Sequence, residues 1–222
     1  FAFLTKTDVW IGNDEVIHGK FHANGGIRFD GTADAPVTSA VPEYLCKDYH
    51  GCGNQTKPGI WGQGCPTTYW SFPVPAQDFS AVTAKLAEIK INAQPPATGL
   101  YLSSSGKQGW RLEFLANSTI NVYKVNATNC YKAKDVNSTK YFWPCIDVAT
   151  LGTVTNYSMP ANGYIYVEDN VWVDGNVNGR ATIGTATGKS IIINGNLLYQ
   201  AKDGNHVLGL IAEQNVLIPH NS

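Results

Sequence analysis

The sequence predicts a mainly β protein: a β-solenoid of the parallel β-helix kind formed by the N- and C-terminal segments, with a small α+β lobe containing one helix inserted between them. Three observations carry this expectation. Short β-branched runs recur at close intervals after Gly163 (YIYV, VWV, ATI, SIIIN, NLLY, VLGLIA, NVLI), separated by little more than Asp-Gly, Asn-Gly and Gly-Lys turns. Residues 1–40 have the same texture, and only one stretch of the chain has helical periodicity. Runs this short, divided by single polar-glycine turns, suit stacked coils better than a hairpin meander.

Taken in chain order, residues 1–40 supply the first solenoid strands: DVWI from Asp8, EVIHG from Glu15, GIRF from Gly26 and PVTSA from Pro36. Residues 41–160 form the insert. It begins as a Cys/Gly/Pro-rich loop through Pro75. A helix follows from about Asp78 to Gln94, with Phe79, Val82, Leu86 and Ile89 on one apolar stripe. GLYL from Gly99, WRLEFL from Trp110 and TINVYKV from Thr119 then read as three strands on which the helix packs, the last two joined as a hairpin across Asn117-Ser118. Residues 161–222 are the main solenoid segment.

Composition narrows the function classes. Charged residues make up 15% of the chain against 43% apolar, so uncharged polar groups carry solubility, as in β-rich surface and secreted proteins. A formal net charge of −1 without any Lys/Arg cluster gives no field to draw in nucleic acid. No apolar run approaches the roughly 18 residues of a membrane span. The opening FAFLTKTDVW is too quickly polar for a signal peptide, so the sequence reads as a mature chain or a piece of a longer one.

Five cysteines, Cys46, Cys52, Cys65, Cys130 and Cys145, fit no zinc spacing. Disulfides are expected instead, Cys130 with Cys145 and Cys52 with either Cys46 or Cys65, leaving one thiol unpaired and pointing to an oxidising, extracellular compartment. Asn54, Asn117, Asn126, Asn137 and Asn156 open Asn-x-Ser/Thr sequons and are candidate glycosylation acceptors.

Chemical motifs fare less well. GTATGKSIII from Gly184 suggests a phosphate loop, but three residues rather than four separate its glycines, Ile183 stands where the first glycine belongs, and a strand follows in place of a helix. His18 and His22 are four apart, a spacing that gathers metal ligands on a helix but puts them about 13 Å apart along a strand. Asp14, Glu15, Asp30, Glu168, Asp169 and Asp174 read as turn formers rather than as a paired-carboxylate site. No catalytic, cofactor or metal residue is expected. The aromatics of the two loops, Trp61, Tyr69 and Trp70 with Phe72, and Tyr141 and Trp143 with Phe142, are candidate ligand contacts, with burial under those loops as the simpler role.

HGKFHANGGIRFDGTADAPVTSA from His18, PGIWGQG from Pro58, WSFPVPAQDFSAVTAKL from Trp70, GYIYVEDNVWVDGNVNGRATIG from Gly163 and HVLGLIAEQNVLIP from His206 resemble segments of a family of bacterial prepilin-like, minor-pilin-like surface proteins. In that family an N-terminal pilin helix precedes a β-solenoid ectodomain. The helix, with its cleavage Gly and its Glu five residues into the mature chain, has no counterpart in this sequence, so the resemblance rests on the ectodomain and membrane attachment would come only through that missing helix. The resemblance implies a non-enzymatic, cell-surface, structural or adhesive module whose partners are other filament or pilus subunits, or a surface glycan or protein ligand. The competing expectations are a carbohydrate-active β-helix enzyme, a glycan-binding module, and a subunit that polymerises through its open solenoid ends.

Overall fold

The computed structural model describes residues 3–134 and 141–217. Strands dominate, Ser80–Ala93 is the one α-helix among the described residues, and the chain divides into two compact units, residues 1–79 with 133–142 and residues 80–132 with 143–222.

In the first unit, short runs, most of them apolar or β-branched, alternate with Gly, Asn and Asp turns and form very short strands: β1 (Phe3–Thr5), β2 (Val9–Ile11), β3 (Val16–Ile17), β4 (Phe21–Ala23), β5 (Ile27–Phe29), β6 (Thr32–Ala33), β7 (Val37–Ser39), β8 (Glu43–Cys46), β9 (Gln55–Pro58), β10 (Ile60–Trp61) and β11 (Trp70–Ser71). None could stand alone. They are stabilised in three parallel ladders in which Phe3, Phe21, Val37 and Trp70 are in register, as are Val9, Ile27 and Ile60, and Val16 and Thr32 with a further bridge from Thr32 to Cys65. Turn amides tie each pass of chain to the one before it, as Asn24 N donates to Thr5 O (3.0 Å) and Asp30 N to Ile11 O (2.9 Å). The inward positions Phe21, Ala23, Ile27, Phe29, Val37 and Ile60 are buried together. The antiparallel pair β8–β9 leaves this pattern between β7 and β10, and the Cys46–Cys52 disulfide lies within it.

The second unit begins with helix α1 (Ser80–Ala93). After it come β12 (Leu100–Leu102), β13 (Gly109–Leu115), β14 (Thr119–Asn129), β15 (Ala133–Lys134), β16 (Tyr141–Phe142), β17 (Asp147–Ser158), β18 (Tyr164–Val167), β19 (Asn170–Val177), β20 (Arg180–Thr185), β21 (Ile191–Tyr199), β22 (Val207–Ile211) and β23 (Val216–Leu217). The short β15–β16 pair groups with the first unit. Two sheets, β12-β18-β20-β22 and β17-β14-β13-β19-β21-β23, face each other across one core of Leu100, Leu112, Phe114, Ile120, Ile165, Val171, Ile183 and Ile191. The first sheet is parallel throughout; the second is parallel from β13 to β23 and antiparallel at β14 and β17. Helix α1 covers the outer face of the first sheet, with Ile89 and Ala93 against Tyr166. The Cys130–Cys145 disulfide belongs to this unit as well.

The compact units divide at 79/80. Several expectations about strand pairing are corrected here. Among the described residues no ladder joins residues 1–40 to residues 161–217; each set finds parallel partners nearer in the chain. The Asn117-Ser118 hairpin forms as β13–β14, but GLYL pairs with YIYV, in register Leu100 to Ile165, and not with that hairpin. The helix packs on the sheet containing GLYL rather than on the hairpin, because Leu86 and Ile89 need the close approach that Gly184 allows. A Cβ at Gly184 would lie 3.1 Å from Leu86 Cδ2 and 3.2 Å from Ile89 Cγ2. Gly184 is therefore a strand residue under a helix. Gly188, at φ +72°, makes the turn, and its amide donates to Glu213 Oε2 at 2.6 Å. The Val82 side chain lies outside the described residues.

Candidate functional site

The outward side of the β2-β5-β10 ladder carries a row that the strand alternation dictates. Val9, Ile27 and Ile60 point into the core, so the next residue of each strand points out, and register places Trp10, Arg28 and Trp61 side by side. The Arg28 guanidinium carbon lies 4.3 Å from the Trp10 ring centroid and 5.3 Å from that of Trp61, while Lys57 Nζ lies 4.9 Å from the Trp61 ring. Each such contact is worth roughly 0.5–2 kcal/mol, more where water is excluded.

Polar partners fix the row. Asp30 Oδ2 accepts from Arg28 Nε (2.7 Å) and from Trp10 Nε1 (2.9 Å), and its Oδ1 accepts from the Gln63 amide (3.0 Å). Arg28 Nη1 donates to His50 O at 2.6 Å, and Trp61 Nε1 donates to Tyr44 Oη at 2.8 Å. Burial pushes the Tyr44 phenol up to about 12, so it remains protonated at neutral pH. Burial also holds the His50 imidazole below its ordinary value, favouring the uncharged ring. Tyr44, Cys46 and Cys52 form a small cluster against which Trp61 packs, so the disulfide-bonded hairpin braces the row from one side. Two cations, Arg28 and Lys57, approach the Trp61 ring. Trp10 meets Arg28, and among the described residues no strand follows β2 in the ladder. The row thus sets two half-buried indoles beside fixed hydrogen-bonding groups, residue types that can stack on a sugar or another planar group.

Of the aromatics selected from the sequence, only Trp61 belongs to this row. Trp70 packs edge-on to Phe29 in the core (6.2 Å, 72°), with its buried Nε1 lacking a hydrogen-bond partner. Tyr69 is exposed in the one-turn helix Thr67–Tyr69, and Trp143 is 61% exposed two residues before Cys145. The Tyr141 side chain lies outside the described residues. Trp10 and Arg28 were missed. Their signal was present, since Phe3/Phe21, Val9/Ile27 and Trp10/Arg28 are all 18 residues apart and pair in parallel register.

The acidic residues read as turn formers are corrected in part. Asp30 organises the aromatic row, and Asp169 is buried and accepts from the Ser105 amide at 2.5 Å. Asp174 lies within β19, where Arg111 grips it through Nε (2.9 Å) and Nη2 (3.1 Å) and Asn194 Nδ2 donates at 2.9 Å. Its register partner on β13 is Glu113, which accepts from Asn121 Nδ2 (3.1 Å) and Tyr123 Oη (2.9 Å). The Asn121 hydrogen bond, aided by Tyr123 and Arg111 and opposed by burial, holds the Glu113 carboxyl below its usual range. His18 and His22 have separate partners: His18 Nδ1 meets Asp34 at 2.6 Å, while buried His22 lies between Thr38 Oγ1 (2.8 Å) and Asn24 Oδ1 (2.9 Å).

Cys46 bonds Cys52 and Cys130 bonds Cys145, leaving Cys65 free and exposed. Asn54, Asn117, Asn126 and Asn156 are all exposed, and Asn137 lies outside the described residues. No family model, curated protein or solved structure matches this chain.

Proposed function

We propose that this chain is a non-enzymatic extracellular module, structural and adhesive, in which β-solenoid coils serve as a stiff support and the Trp10–Arg28–Trp61 row binds a surface glycan. The carrying observation is that row: two indoles in register on either side of a guanidinium, clamped by Asp30 and Tyr44, with one indole at the ladder's edge. The spacing of the parallel passes supports the solenoid reading: Phe3 to Phe21 is 18 residues and Phe21 to Val37 is 16, and the β8–β9 hairpin separates Val37 from Trp70, 33 residues on. Two disulfides favour an oxidising, extracellular setting, and no helix among the described residues is long and apolar enough to cross a membrane. Membership of a pilus or surface filament rests on the family resemblance in the sequence.

Titration against an oligosaccharide panel tests the adhesive reading. Trp10→Ala is expected to weaken a bound glycan by up to about tenfold, the scale of one aromatic stacking contact, while Trp143→Ala leaves it unchanged. Equal affinity in wild type and Trp10→Ala would remove the row from binding. Localisation tests the compartment: native protein found in the cytoplasm with all five thiols reduced would overturn it.

A carbohydrate-active enzyme is the second reading, favoured by the Glu113–Asp174 register pair. Such an enzyme needs one carboxyl that keeps its proton to donate to the leaving group. Glu113 is held ionised, and Asp174 is engaged by Arg111 and Asn194, so the pair suits charge stabilisation better than acid catalysis. Release of reducing ends from any polysaccharide in the panel would favour the enzyme.

A further inference from the structure

Two of the hydrogen bonds that fix the Trp10–Arg28–Trp61 row come from one short stretch outside the parallel ladders. Tyr44 Oη, on β8, accepts from Trp61 Nε1 at 2.8 Å, and His50 O, in the loop after β8, accepts from Arg28 Nη1 at 2.6 Å. Cys46 lies between these two acceptors in the chain and Cys52 just beyond them, so the loop closed by the disulfide carries the acceptor for Arg28 and begins two residues after the acceptor for Trp61. The stretch has little else to hold its shape. Its antiparallel pair sets Glu43–Cys46 against Gln55–Pro58, and only Tyr44 and Cys46 of these are buried. Beneath the pair, Tyr44, Cys46 and Cys52 form the buried cluster against which Val41 and Trp61 pack, so the two cysteines are most of the hairpin's own core. The Tyr44 ring lies on Gly26, where a Cβ would overlap it, and its place beside Trp61 depends on the hairpin seating closely on that turn.

We infer that formation of the Cys46–Cys52 disulfide is what completes the row: oxidation seats the hairpin, and the seated hairpin presents Tyr44 Oη to Trp61 and His50 O to Arg28. The consequence for binding rests on the adhesive reading; the assembly of the row does not. The step is thiol–disulfide exchange with a disulfide-bearing oxidant. The two cysteine Sγ atoms join, the oxidant's own S–S bond breaks, and the oxidant leaves as a dithiol with the two electrons and two protons that the cysteines give up. Where thiols are kept reduced the row stays incomplete, so binding is confined to oxidising compartments. Cys46 is fully buried and Cys52 only 7% exposed, which shields the finished bond from reductants in solution, so the row is set once and not toggled. Cys130–Cys145 supplies none of the row's hydrogen-bond partners and serves as the control.

Indole N–H signals in proton–nitrogen correlation spectra of the full chain, assigned with Trp10→Phe, Trp61→Phe and Trp70→Phe, test the assembly. In Cys46→Ala/Cys52→Ala the Trp61 signal is expected to move toward the position it takes in Tyr44→Phe, which lacks the acceptor hydroxyl. Trp10, held by Asp30, and Trp70, packed on Phe29, should keep their wild-type positions. Cys130→Ala/Cys145→Ala should move none of the three. An unmoved Trp61 in the Cys46–Cys52 variant, movement of all three signals together, or an equal Trp61 shift in the Cys130–Cys145 variant would each overturn the proposal. Titration of the same proteins with the oligosaccharide panel tests the consequence. A glycan bound by wild type should bind the Cys46–Cys52 variant about tenfold more weakly and the Cys130–Cys145 variant equally well, and equal affinity in all three would overturn the link to binding. Wild type that binds no glycan would overturn the adhesive reading alone, with the Trp61 signal still deciding how the row is assembled.

Discussion

Arg28 lies 4.3 Å over the ring of Trp10, a residue 18 positions earlier in the chain, because parallel register sets β5 beside β2. Arg28 also holds Asp30 and His50 O, so one side chain links three passes of chain. Arg28→Ala is expected to lower stability by about 2–4 kcal/mol, combining lost charge-assisted hydrogen bonds with an Asp30 carboxylate deprived of its cation. Arg28→Lys should recover only part, since an ammonium cannot lie flat against both indoles. Chemical denaturation followed by tryptophan fluorescence checks this, and a loss below about 0.5 kcal/mol would show the row to be energetically idle.

The two disulfides differ in how much chain they close. Cys46–Cys52 spans 6 positions and Cys130–Cys145 spans 15. The loop-entropy relation gives about 2 kcal/mol for the first and about 3 kcal/mol for the second. Paired Cys→Ser variants should rank in that order on urea unfolding. Alkylation without reductant should label Cys65 alone, and label at any other cysteine would contradict the pairing.

Acid should act through Glu113. Its folded-state pKa is depressed below the ordinary 4.5, so the unfolded chain takes up that proton first as pH falls. The stabilisation is complete above the ordinary value and is lost as pH drops through the lower folded value. Stability measured from pH 6 down to pH 3 should therefore fall less steeply in Glu113→Gln than in wild type. Parallel curves would show that the Asn121 and Tyr123 bonds to Glu113 are not what depresses it.

Gly184 reports how closely α1 sits on its sheet. A Cβ there meets Leu86 and Ile89 at 3.1–3.3 Å, so Gly184→Ala requires a small shift and Gly184→Val a larger one. Expected losses are under about 1 kcal/mol for Ala and about 1–3 kcal/mol for Val. Calorimetry that found Gly184→Val as stable as wild type would mean that the helix is free to lift.

The sequons separate by hydrogen bonding. Asn117 lies in the exposed β13–β14 turn, where its Oδ1 accepts from Thr119 Oγ1 (2.7 Å), whereas Asn156 Nδ2 already donates to Asn121 Oδ1 (2.8 Å) and Asn54 Nδ2 to Asp48 (2.9 Å). Secretion from a glycosylating eukaryotic host should load Asn117 ahead of Asn156 and Asn54. Glycopeptide mass spectrometry that showed the reverse order would remove hydrogen bonding as the discriminator.

Local chemistry made much of this architecture legible in the sequence. Short runs such as VWI, IRF and YIYV between Gly, Asn and Asp turns can only be short strands, the Asn117-Ser118 turn identified its hairpin, and the spacing of Cys130 and Cys145 suggested their bond. Partner choice was not legible. Every triplet carries the same alternation, so pairing GLYL with YIYV rather than with WRLEFL costs nothing in local propensity and is decided by which arrangement closes a core. The helix shows the same division: its apolar stripe said that it must be covered, and the bare backbone at Gly184 decided where. Asp30 and Asp174 looked like turn residues because Asp beside Gly usually is one. Arg28 stands only two residues from Asp30, but only the assembled register sets Trp10, 20 residues before Asp30, on the same carboxylate and brings Arg111, 63 residues away, within reach of Asp174, and no short window of sequence contains those partners.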